Sequence, residues 1–135
     1  MINEAAVVER TSEDERWIDR LMAVDVDADL IDLICERLDS FVKWDLLFFF
    51  HDNPHTLDTA QNIARYTGRD VEIVKPELDA MVEERLLMAD RVGGMTVYTL
   101  SGDPAVTEMV ERFVKAWQDK EFRIKAIYHL FRSMR

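Results

Sequence analysis

DTAQNIARYTGRDVEIVKPELDAMVEERLLM, residues 58–88, is the stretch whose reading decides the fold. Asp58 and Gln61 have the spacing of a capping box, in which a cap and the residue three positions on satisfy each other's backbone donors. Ala60, Ile63 and Ala64 then share one apolar face, and Gly68 stands where a left-handed residue ends a helix. Asp70 is placed to cap a second helix, which carries Val74, Leu78, Met81 and Val82 on its apolar stripe and ends near Arg85. Pro76 removes one backbone donor from its early turns and bends them. Two short helices separated by a tight turn are expected.

Outward toward the C-terminus, Leu86-Leu87-Met88 and Met95, Val97, Tyr98 and Leu100 flank the pair Gly93-Gly94. Two apolar runs around a glycine pair predict a β-hairpin with a tight turn. Outward in the other direction lies FVKWDLLFFF, the most apolar run in the chain, interrupted only by Lys43 and Asp45. Ser40 is its N-cap and Asn53-Pro54 its stop. Val42, Leu46, Phe49 and Phe50 fall on one helical face, while Trp44, Leu47 and Phe48 lie on others. Such a helix is buried on more than one side. It is too short to span a bilayer, which takes about 20 apolar residues.

Asp103-Pro104 marks a further helix start, and no glycine or proline follows from Ala105 to Arg135. Val106, Val110, Phe113 and Trp117 form one stripe, continued by Phe122, Ile124, Ile127, Leu130 and Phe131. The pattern fits one helix, or two with a bend near Asp119. As one rod it would run ~45 Å and need a second surface, for which a second copy of the chain is the simplest source. At the other end, residues 1–10 carry no pattern. Ser12 to Glu15 fit a capping box ahead of the stripe Trp17, Ile18, Leu21 and Met22. A second stripe, Leu30, Ile31, Ile34, Cys35 and Leu38, predicts a helix from about Asp27 to Leu38.

The chain has 135 residues, 48% hydrophobic, with one cysteine and a net charge of −10. That is one ordinary domain's length with ample core, and no intramolecular disulfide is possible. The N-terminus lacks a basic stretch followed by an apolar one, so no signal peptide is expected and the location is read as cytoplasmic. Residues 1–40 carry 4 basic and 12 acidic side chains, residues 41–100 carry 6 and 10, and residues 101–135 carry 7 and 5. Only the C-terminal end is basic. Net acidity repels phosphate at long range without forbidding a local basic patch.

The order apolar helix, short helix, tight turn, helix and glycine-tipped hairpin resembles the winged helix-turn-helix superfamily of bacterial transcription regulators, over about residues 40–100. The resemblance implies a mainly α fold with a small β-hairpin wing at 40–100. It implies a helical extension at 1–39 and one or two dimerising helices at 101–135. The second helix of the turn would be the recognition helix, with Val71, Glu72, Lys75, Asp79 and Glu83 outward. Arg65 and Arg69 around the turn, Lys75 on that helix and Arg91 on the wing are the residues positioned for DNA. The implied function is transcription regulation by a DNA-binding homodimer. The alternative is an acidic winged-helix module that binds a basic protein partner and no DNA.

Other chemistries find weaker footing. Asp25, Asp27 and Asp29 with Glu36 mimic a calcium loop, but the required glycine is Leu30 and the usual apolar eighth position is Asp32, so helix-start acids are the plainer reading. His51, Asp52 and His55 sit close together, but Pro54 between them places the two imidazoles across a turn rather than on one metal-binding face. Cys35, on an apolar stripe, reads as a small buried hydrophobe. Trp44, Phe48, Trp117 and Phe122 read as core and dimer packing or as the lining of an effector pocket. No phosphate loop or activated nucleophile is recognisable, so no enzyme, cofactor or metal is expected.

Overall fold

A computed structural model describes residues 28–133. The patterns at Ser12 to Met22 and the first part of the calcium-like stretch lie outside the described residues. The elements run α1 (Ala28–Glu36), α2 (Phe41–Asp52), β1 (Asp58–Thr59), α3 (Ala60–Thr67), α4 (Val71–Glu83), β2 (Leu87–Val92), β3 (Met95–Leu100), α5 (Pro104–Ala116) and α6 (Lys120–Ser133). The sheet is antiparallel in the order β1-β3-β2.

α2 is the centre. The Lys43 amide donates to Ser40 Oγ at 3.1 Å, and Asn53 closes the far end with its backbone and side-chain nitrogens on the Phe49 carbonyl. Trp44, Leu46, Leu47 and Phe50 are buried, and α3, α4 and α5 all pack against the helix. On the α5 side the burial is aromatic: Trp44 meets Trp117 at 5.1 Å between ring centroids, and Phe48 meets Phe113 at 5.7 Å. The Trp44 indole N–H donates to the Leu38 carbonyl at 2.7 Å, so its polar edge is satisfied as its rings are buried.

A charge is carried into this packing. Lys43 is 7% exposed and reaches Asp39 at 2.5 Å and Glu77 of α4 at 3.5 Å. Burial works to lower its ammonium pKa, but the Asp39 hydrogen bond and the charges of Asp39 and Glu77 outweigh that and raise it. The ion pair ties α2 to the middle of α4.

The C-terminal segment is two helices. α5 ends at Ala116, residues 117–119 turn, and Asp119 accepts from the Glu121 amide as α6 begins. The single rod is therefore replaced by a folded pair, and the argument from its length to a second subunit falls with it. The turn lets Phe122 fold back onto Phe113 at 6.0 Å and lets α6 pack along α1. Trp44, Phe48, Trp117 and Phe122 are consequently packed ring against ring through Phe113, not around an open effector pocket.

α1 buries Leu30, Leu33, Ile34 and Leu38 beyond its end, whereas Cys35 is exposed. Assigning Cys35 to the stripe instead of Leu33 put it on the wrong face. Its thiol is pushed up by partial burial and then by the neighbouring charges of Asp32 and Glu36, which disfavours the reactive thiolate. Among the described residues no helix is long and apolar enough to cross a membrane.

Candidate nucleic-acid interface

Thr59 caps α3, with its hydroxyl accepting from the Asn62 amide at 3.3 Å. The cap is thus one residue later than the sequence spacing placed it. Asp58 belongs to β1, paired with Tyr98, and its carboxylate accepts from the Thr59 amide at 2.8 Å and the Asn62 side chain at 2.7 Å. Two residues are too short a strand to leave a period-2 signal, which is why β1 escaped notice. α3 buries Ala60, Ile63 and Ala64 and ends at Gly68, with φ +70°. The Arg69 amide closes this turn on the Ala64 carbonyl at 2.9 Å, and α4 follows at once.

α4 starts from Asp70, whose backbone carbonyl rather than its side chain receives the first amides. Pro76 lies inside it, and Val74, Leu78 and Met81 face the core. Val71, expected outward, is partly buried against the core, and Asp79 is half-buried. The exposed side presents Glu72, Ile73 (50% exposed), Lys75 and Glu83.

The wing is a two-residue hairpin in which Val92 pairs with Met95 across Gly93 (φ +58°) and Gly94 (φ +81°). Positive φ at both central residues matches the right-handed strand twist and favours glycine. Directly paired residues share a face, so Ala89 and Tyr98 lie with Arg91 and Thr96 on one side. Tyr98 points to α4, donating its hydroxyl to Asp79 Oδ1 at 2.5 Å. A groove of about 690 Å³ runs between Leu57–Asn62, Lys75 and Gly94–Tyr98, so the start of α3, α4 and the wing border one cleft.

The four cations expected at DNA have different local fates. Arg65 is exposed and has no ion-pair partner among the described residues. Arg69 forks onto Asp45 of α2, with Nε at 3.1 Å and Nη2 closer still. Lys75 bonds Asp79 Oδ2 at 2.7 Å, and Arg91 donates to the Gly94 carbonyl at 2.9 Å within the wing tip. The hydrogen bond to Asp79 is the main reason the Lys75 pKa is raised. At Asp79, burial pushes the carboxyl up, but the bonds from Lys75 and Tyr98 prevail and hold it below its ordinary value. Burial first, then the bond to Asp79, raises the Tyr98 phenol. The Lys75–Asp79 pair was readable as an i,i+4 spacing on a helix. The Arg69–Asp45 pair, 24 positions apart, had no local signal.

Among the described residues no three His, Cys, Asp or Glu side chains gather as a metal site. His51 instead bridges α2 to α5, with Nε2 3.1 Å from Glu111.

Neither a protein-family model nor a curated protein sequence matches the chain. Among solved structures, the AntR antimony-specific transcriptional repressor is similar, with a TM-score of 0.52 at 21% identity over 73% of this chain and 95% of that one. A possible transcriptional regulator from Methanosarcina mazei Go1 aligns with a TM-score of 0.49 at 14% identity, over 69% of this chain and 80% of that one. At 21% identity the likeness to the repressor is one of fold, and the fold is a mainly helical winged helix-turn-helix with flanking helices.

Proposed function

We propose that the protein is a transcription regulator, not an enzyme, that binds duplex DNA as a cytoplasmic homodimer through its winged helix-turn-helix. The observation that carries this reading is the shared cleft: the start of α3, Lys75 of α4 and the wing strand β3 border one groove, beside an exposed recognition helix. Arg65, Arg69, Lys75 and Arg91 act on the phosphate backbone, which positions such a protein and gives most of its affinity. Residues 40–100 form the DNA-binding unit. Residues 1–39 and 101–135 brace it and supply the dimer surface. In support of dimerisation, Phe131 is 58% exposed and Phe41 39%, with their rings 5.9 Å apart where α2 and α6 meet.

Fluorescence anisotropy with a random-sequence duplex at about 50 mM salt, where phosphate contacts are strongest, is the test. Saturable binding weakened by Arg65→Glu and by Arg91→Glu is expected. Sedimentation at micromolar concentration should return a dimer, and a monomer would remove that part.

One observation favours a second reading. The exposed stripe of α4 carries Glu72 and Glu83 beside an internally paired Lys75, and Arg69 is bound by Asp45. Such a surface suits a basic protein partner. Absence of DNA binding at low salt would select it.

A further inference from the structure

We propose that Asp79 is a built-in competitor for DNA phosphate, holding the Lys75 ammonium until a phosphate displaces it. This rests on the DNA-binding reading above and goes beyond it, because it assigns a role to an acid that sequence logic would place against DNA. An ordinary surface ion pair would not compete well, since two mobile side chains separate at little cost. Asp79 differs in being fixed. Its Oδ1 accepts from the Tyr98 hydroxyl at 2.5 Å, and the Tyr98 ring is fully buried. Its Oδ2 faces Lys75 at 2.7 Å, and the Lys75 side chain is 57% exposed on the groove wall. One oxygen is anchored to the wing strand and the other is aimed at the only cation of the recognition helix.

A phosphate reaching Lys75 must therefore replace a carboxylate rather than water. The carboxylate then stays within a few ångströms of the phosphate, because Tyr98 holds it there. Both effects lower affinity, and both lower the number of counterions released per cation. Arg65, with no acid partner among the described residues, carries no such handicap.

Asp79→Asn removes the charge and keeps an oxygen that accepts from Tyr98. It should tighten binding to a random duplex about fivefold at low salt, roughly the factor one adjacent unit charge gives in water. It should also steepen the dependence of log affinity on log salt by about 0.9, as for one further phosphate contact. Glu72→Gln is the control: it makes the same charge change on the same exposed helix, at a residue with no ion-pair partner among the described residues. If Glu72→Gln matches Asp79→Asn in affinity and slope, the gain is general electrostatics and the competitor role is overturned. If wild type binds and Asp79→Asn does not tighten it, the proposal fails while the DNA-binding reading stands. If neither binds duplex, both fail. A second measurement does not depend on the folding of Asp79→Asn. Lys75→Gln should cost less affinity than Arg65→Gln, because Lys75 begins occupied; an equal or larger cost overturns the proposal.

Discussion

The aromatic base and the face formed by α3, α4 and the wing are built on opposite physical terms. At the base, Trp44, Phe48, Phe113, Trp117 and Phe122 pack edge and face with centroids 5.1 to 6.4 Å apart, and nearly all their surface serves stability. At the face formed by α3, α4 and the wing, Arg65, Lys75, Glu72 and Ile73 remain exposed. In the first region, lost volume should be costly. The second carries exposed charges, whose single pairs add little to stability.

Mutations should separate the two regions by size of effect. Trp44→Ala opens a hole under three rings and leaves the Leu38 carbonyl without its donor, so it should cost about 4 kcal/mol in urea unfolding. A loss under about 1 kcal/mol would mean the base repacks freely. Lys43→Met lies on the boundary. It keeps the aliphatic stem and removes the ammonium from Asp39 and Glu77, both partly exposed, so about 1.5 kcal/mol is expected from lost charged hydrogen bonds. Arg85 holds φ +64° between α4 and β2, a conformation that strains any residue with a Cβ. Arg85→Gly should therefore stabilise by about 1 kcal/mol, read as a raised melting temperature.

The smallest stability effect belongs to the contact between α4 and the wing and follows pH. The Asp79 pKa is lowered on folding, so its contribution is present above the unfolded value of about 3.9 and is lost as pH falls through the folded value. Lys75 and Tyr98 are raised, so theirs is present below about pH 10 and fades above it. Melting temperatures of wild type and Asp79→Asn should differ most between those limits and converge below about pH 4. A difference that persists at pH 2 would show that the side chain's shape, not its charge, ties α4 to the wing.

Much of the fold was legible because it is written locally. Ser40, Gly68, Asp103-Pro104 and Gly93-Gly94 each fix a turn or a helix end through their own backbone chemistry, and each stands where the sequence placed it. What escaped notice depends on long-range partners. Whether the C-terminal segment is one helix or two with a bend near Asp119 stayed open, because the break at residues 117–119 has no glycine or proline to announce it and is accompanied by the contact of Phe122 with Phe113. The cap at Thr59 rather than Asp58 follows from pairing of β1 with β3. Within the interface, the positions of Arg65, Arg69, Lys75 and Arg91 could be read, and so could the Lys75–Asp79 spacing, but not the long-range contacts that fix the acids. Asp45 reaches Arg69 only because α2 packs against α3, and Asp79 is fixed only because Tyr98 arrives from the wing.

The most direct test of the central claim is the salt dependence of duplex binding by the wild-type protein. Log affinity should fall linearly with log salt, with a slope of about −0.9 for each phosphate met by an unmasked cation such as Arg65 or Arg91. Absence of binding at about 50 mM salt, or binding indifferent to salt, would contradict it.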